Sequence, residues 1–144
     1  MATTTATVSI NSTDLLSSPL SLSASTVCMK AGTNIGLELV EAGRGEIKEA
    51  DASKTAEFGL ATALGNDTAC KVYMCNNATD PTYYIDVDIH DTNLGRLYAG
   101  DWMFMPWSQT DVAAEIVIEA EPAGAVCPYE YAVFKEAETL VDHS

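Results

Sequence analysis

Thr82-Tyr83-Tyr84-Ile85-Asp86-Val87-Asp88-Ile89-His90 is the stretch that decides the fold. Tyr83, Ile85, Val87 and Ile89 alternate with Tyr84, Asp86, Asp88 and His90. Successive side chains of a strand point to opposite faces. The run therefore predicts a strand with one buried and one solvated face.

Working outward, the same grammar repeats. Asn76–Pro81 is a cluster of turn formers, and Ala69–Cys75 before it reads as a strand. After it, Asp91–Asn93 turns the chain into a strand beginning at Leu94–Tyr98. Ala99–Asp101 turns it again before Trp102–Trp107. Ala113–Ala120 is a further strand, Glu121–Gly124 a turn, and Tyr129–Phe134 the last strand. Nearer the N-terminus, Thr3–Ile10 places Ala6, Val8 and Ile10 on one face. A turn is expected at Asn11–Asp14, a second run over Pro19–Lys30, and a turn at Ala31–Asn34.

The middle is ambiguous. Gly36–Glu41 fits a strand or a helical turn, and Ala42–Gly45 reads as a loop. Glu46–Leu64 holds either a helix around Ala50–Ala56 or short strands, with strand and loop preferred.

Strands at intervals of about eight to twelve residues, separated by turn signals, predict an antiparallel β-sandwich or barrel. The expected architecture is all-β: one jelly-roll-like sandwich domain over residues 1–144. Residues 1–12 are an extended N-terminal strand or arm, and 136–144 are an acidic tail. A chain of 144 residues is long enough to bury about 68–70% of its unfolded surface without disulfides or metals.

Charge narrows the partners. Twenty-one Asp and Glu face seven Lys and Arg, for a net charge of −14. The basic residues Lys30, Arg44, Lys48, Lys54, Lys71, Arg96 and Lys135 form no run, so a phosphate-binding patch is not expected. No stretch has the roughly 18 apolar residues of a membrane span. Met1–Thr7 has neither a basic nor an apolar signal region. Neither nucleic acid nor membrane is an expected partner.

Cys28, Cys70, Cys75 and Cys127 form no C-x-x-C pair, and two histidines are too few for a zinc-type set, so the thiols are expected as reduced core residues. Asp86, Asp88, His90 and Asp91 are the nearest thing to a cation site, but the same spacing follows from any strand with a polar outer face. Nucleotide-binding, hydrolase and metalloprotease motifs are absent from the sequence. The N-x-T pattern at Asn11, Asn66 and Asn77 marks Thr-rich turns. No enzyme activity, metal or cofactor is expected.

Trp102-Met103-Phe104-Met105-Pro106-Trp107 is the densest apolar segment. On a strand, Trp102, Phe104 and Pro106 face one way, and Met103, Met105 and Trp107 the other. Such a segment is either buried on both sides or presents an apolar face to a partner. Pro106 lacks an N–H and belongs at a strand end or sheet edge.

Lys71–Trp107 resembles small virion proteins of tailed, especially marine, bacteriophages. The resemblance rests on Lys71-Val72-Tyr73, the Asn76–Pro81 turn, Tyr84–Ile89, Gly95–Asp101 and Met103–Trp107. The Thr-rich opening Met1–Val8 is similar as well. It implies a small β-sandwich repeated many times in a virion, made in the host cytoplasm. Its expected role is capsid decoration or cement, with a head–tail or tail-fibre component of lectin-like receptor binding as the alternative. The implied partners are the major capsid protein or other virion proteins and further copies of the chain, in a trimer. The expected interface residues are Trp102, Met103, Phe104, Met105 and Trp107, with Arg96 and Tyr98.

Overall fold

The computed structural model describes residues 3–14, 17–30, 36–49, 55–58, 68–109 and 115–137. Among the described residues there are ten regular elements, all strands. The chain divides into two compact units, 1–38 and 39–144.

The first unit is a hairpin. β1 (Thr4–Ser12) pairs antiparallel with β2 (Leu20–Cys28) in unbroken register, from Thr4 opposite Cys28 to Ser12 opposite Leu20. The arm expected over residues 1–12 is thus one strand of a longer structure, because Leu20–Cys28 matches it residue for residue. Asn11 and Ser12, read as the start of a turn, are still in the ladder. The Asn11 carboxamide oxygen accepts from the Ser21 hydroxyl at 3.0 Å, and the Thr7 and Ser25 hydroxyls lie 2.9 Å apart. Alternation makes the hairpin two-faced. Ala6, Val8, Ile10, Leu20, Leu22, Ala24 and Cys28 share one face with Thr4, Ser12 and Thr26. Thr5, Thr7, Ser9, Asn11, Ser21, Ser23 and Ser25 share the other with Val27.

The second unit is the expected sandwich. Its strands are β3 (Glu38–Lys48), β4 (Thr55–Phe58), β5 (Thr68–Asn76), β6 (Tyr84–Ile89), β7 (Thr92–Tyr98), β8 (Trp102–Gln109), β9 (Ile116–Glu121) and β10 (Val126–Ala137). One sheet runs β3-β10-β5-β8 and the other β4-β9-β6-β7. Counted within this unit, the orders are first-eighth-third-sixth and second-seventh-fourth-fifth. That is the strand order of the eight-stranded jelly roll.

The inward residues of both sheets form one core. Cys70, Val72 and Met74 of β5 and Cys127 and Val133 of β10 meet Ile85 and Val87 of β6 and Ile116, Ile118 and Ala120 of β9. Burial alternates along all of β9 and along β6 as far as Asp88, with Ile89 half-buried at its end.

Three expectations need correction or completion. Ala42–Gly45 is not a loop but the middle of β3. Gly43 and Gly45 lie against the rings of Tyr131 and Tyr129: a Cβ on Gly45 would stand 2.6 Å from the Tyr129 hydroxyl oxygen. The aromatic rings cover the bare backbone of an outer strand, so glycine persists there without breaking the ladder. Glu46–Leu64 includes the tail of β3 and the strand β4; the expected turn at Ala31–Asn34 and most of the 50–64 stretch lie outside the described residues. So does the acidic tail beyond Ala137. Finally, of the four free cysteines, Cys28, Cys70 and Cys127 are buried as expected, whereas Cys75 faces outward and is half-buried.

Candidate functional site

The apolar segment sits on β8, which is the last described strand of its sheet. Its pairing with β5 sets its faces: Trp107 opposes Cys70, Met105 opposes Val72 and Met103 opposes Met74. Those three therefore point inward. Trp107 is buried, while Met103 and Met105 are half-buried against the core. Trp102, Phe104 and Pro106 face outward, and Trp102 is 47% exposed. The segment is therefore not buried on both sides. Pro106 lies on an outer strand, where a missing N–H is tolerated.

The turn from β7 to β8 is held firmly. Gly100 adopts φ 86°, a conformation that favours glycine. The Asp101 N–H donates to the Tyr98 carbonyl at 2.8 Å, and the Tyr98 N–H donates to the Asp101 carboxylate at 2.9 Å. Asn76, fully buried at the end of β5, ties this turn to its own strand. Its N–H donates to the Asp101 carbonyl at 2.9 Å, and its carbonyl accepts from the Gly100 N–H at 2.8 Å. Its side chain donates to the Leu97 carbonyl at 2.8 Å and accepts from the Ala78 N–H at 2.9 Å. Each polar atom of this buried residue thus has at least one hydrogen-bond partner. Tyr98, 41% exposed, and Trp102 flank this turn.

Beside them a slot of about 200 Å³ opens between the outer strands β7 and β8, lined by Val87, Leu94, Leu97, Met103, Met105 and the Gly95–Arg96 segment. Leu94 is 51% exposed at its rim. The walls are aliphatic and thioether, with Arg96 as the charged lining residue. Methionine walls re-pack readily around an apolar guest.

Arg96 belongs to the outer face of the second sheet. Its Nε is 3.2 Å from the Asp86 carboxylate, and its guanidinium carbon lies 4.4 Å from the centre of the Tyr84 ring. Tyr84 and Tyr98 stack at 5.1 Å. Asp88 accepts from the Asn93 carboxamide at 2.8 Å, and His90 Nε2 lies 3.4 Å from the Asp91 carboxylate. Arg96 and Asn93 thus take up Asp86 and Asp88 from the neighbouring strand. Among the described residues no group of three or more His, Cys, Asp and Glu is placed to hold a metal ion.

The outer face of the first sheet carries a second, shallower hollow of about 380 Å³, between Arg44, Tyr73, Glu130 and Tyr131. Its carboxylate, Glu130, accepts from the Tyr73 hydroxyl at 3.3 Å and pairs with Arg44 at 3.4 Å. Burial first, then Cys75 and Glu130, raises the Tyr73 hydroxyl to about 12. Burial and the hydrogen bond to Glu41 likewise raise Tyr131 to about 12. Both hydroxyls stay protonated and act as donors to carboxylates, which is a structural arrangement rather than an acid–base pair poised near neutrality.

Of the expected interface residues, Met103, Met105 and Arg96 meet in the slot. Tyr98 and Trp102 stand exposed beside it, Phe104 is half-buried on the outer face, and Trp107 packs into the core. Sequence reasoning passed over Val87 of β6 and Leu94 and Leu97 of β7, which meet the methionines of β8 only in the sandwich. It also passed over Asn76, read merely as a turn former. Leu94, an aliphatic residue between Asn93 and Gly95, was the visible signal. No protein-family model, no curated protein and no solved structure matches this chain.

Proposed function

We propose that this protein is a structural component of a phage virion, a decoration or cement protein that binds the capsid surface and contributes to particle assembly and stability. The observation that supports an assembly role is the hairpin β1–β2. A two-stranded hairpin is at best marginally stable alone in water, yet here Ile10 and Leu22 of its apolar face are 52% and 54% exposed. Such a surface is suited to a partner. The jelly roll is a fold of capsid and lectin domains, although fold alone does not carry function. The phage assignment comes from the resemblance of Lys71–Trp107. An acidic sandwich repeated over a shell gives the particle a charged exterior, and many weak contacts add up through multivalency.

Immunogold electron microscopy tests the proposal. Antibody raised against the purified protein is expected to label intact virions of the source at many regular sites over the head. Label confined to the tail or one vertex would select the second reading, a head–tail or fibre component with lectin-like receptor binding. That reading draws on the half-exposed rings of Tyr98 and Trp102, whose flat faces suit a sugar. Particles without label would refute both.

A further inference from the structure

We propose that the hairpin of one copy docks its apolar face onto the β7–β8 slot of another copy, so that each molecule donates one arm and receives one. This deepens the assembly reading and rests on it. Three observations select this occupant.

The first is charge. Asp14, Lys30 and Glu38 are the only charged residues among 1–38, so residues 39–144 carry −13 of the net −14. Sandwich against sandwich is opposed by like charge, whereas the nearly neutral hairpin approaches an acidic neighbour without that penalty.

The second is shape and chemistry. Ile10 and Leu22 are directly paired across the ladder, and both project from the apolar face. The slot, about 200 Å³ with walls of Leu94, Leu97, Met103 and Met105, has room for an aliphatic side chain of that class. A side chain that fills a well-packed, desolvated pocket near the centre of an interface carries a large share of its binding energy.

The third is area. Strands of nine residues span about 30 Å, and a two-stranded face is about 10 Å wide, or roughly 300 Å² a side. Two hairpins stacked face to face would bury about 600 Å² in total, half of what a stable interface needs. Reciprocal exchange makes two arm contacts per pair of molecules, reaching about 1,200 Å².

A photo-crosslinking experiment on the full chain tests this. p-Benzoylphenylalanine is placed at position 22, and ¹⁵N-labelled and unlabelled chains are mixed in equal amounts before irradiation. Light scattering on the same sample reports the mass. The expected result is an oligomer in which position 22 of one isotope captures a peptide spanning Leu94–Met105 of the other. Substituting Leu22→Ser or Leu94→Ser is expected to weaken association at least tenfold, while Ser23→Asn on the polar face leaves it unchanged. Circular dichroism of each variant separates lost association from lost folding. An oligomer whose crosslinks join hairpin to hairpin, or stay within one chain, overturns the docking site and leaves the assembly reading standing. A monomer at every concentration, with no crosslink between isotopes, overturns self-assembly and docking together.

Discussion

Replacing Asn76 with Ala removes the side chain that joins the end of β5 to the β7–β8 turn. Two buried hydrogen bonds disappear, to the Leu97 carbonyl and from the Ala78 N–H. Both backbone groups stay inside the protein, since Leu97 and Ala78 are each 8% exposed. Each lost bond is worth about 1 kcal/mol net, and each group left unsatisfied costs about 1–3 kcal/mol. The expected loss is about 3 kcal/mol. At a slope near 2 kcal/mol/M, the urea midpoint falls by about 1.5 M with the slope unchanged. The melting temperature should drop by about 10 °C in a chain of this size. Trp107 fluorescence is the natural signal, because that ring is buried in the sandwich core. Asn77→Ala is the control: its side chain is exposed and accepts from the Cys75 thiol at 3.4 Å, so the loss should stay below about 0.5 kcal/mol. Asn76→Asp keeps an acceptor for Ala78 but loses the donor and buries a carboxylate, so its penalty at pH 7 should exceed that at pH 4. A midpoint shift under about 0.5 M for Asn76→Ala would refute the view that this side chain anchors the turn.

Two further results follow from the first sheet. Gly45→Ala should cost about 1–3 kcal/mol by urea unfolding, because its Cβ would meet the Tyr129 hydroxyl oxygen at 2.6 Å and ring carbon at 2.7 Å. Gly43→Ala, where the nearest atom is 3.3 Å away, should cost less. Tyr73 and Tyr131 are each raised to about 12 from 10.0, first by burial and then by neighbouring acids. The folded state holds these protons more tightly than the unfolded one, so their contribution is fully present below pH 10 and is lost as pH rises towards 12. Ultraviolet titration should show both phenols ionising late, and Tyr131→Phe should reduce the loss of stability above pH 10.

Much of the fold was legible because strand alternation is a local property. Tyr84–Ile89 shows inward Ile85 and Val87 and outward Asp86 and Asp88 before any partner strand is known. Turn chemistry likewise marked Asn76–Pro81, Ala99–Asp101 and Glu121–Gly124, where Gly100 and Gly124 adopt positive φ. The alternation of Trp102–Trp107 was also readable, so which side chains share each face followed from residue order.

What the sequence could not determine is which strands become neighbours. A glycine pair reads as a loop when its covering rings lie some 85 residues away, as Gly43 and Gly45 do from Tyr131 and Tyr129. Asn76 looks like any turn former until the Leu97 carbonyl is brought against it. The two apolar faces of Trp102–Trp107 acquired different fates, core for Trp107 and surface for Trp102, only because pairing with β5 turned one face towards the core and the other away from it. The slot exists because β7 and β8 close one side of two different sheets, placing Leu94 beside Met103 and Met105. Period and turn propensity act over a few residues, and so they are written in the chain. Register, edges and pockets depend on long-range pairing, and only the assembled sandwich decides them.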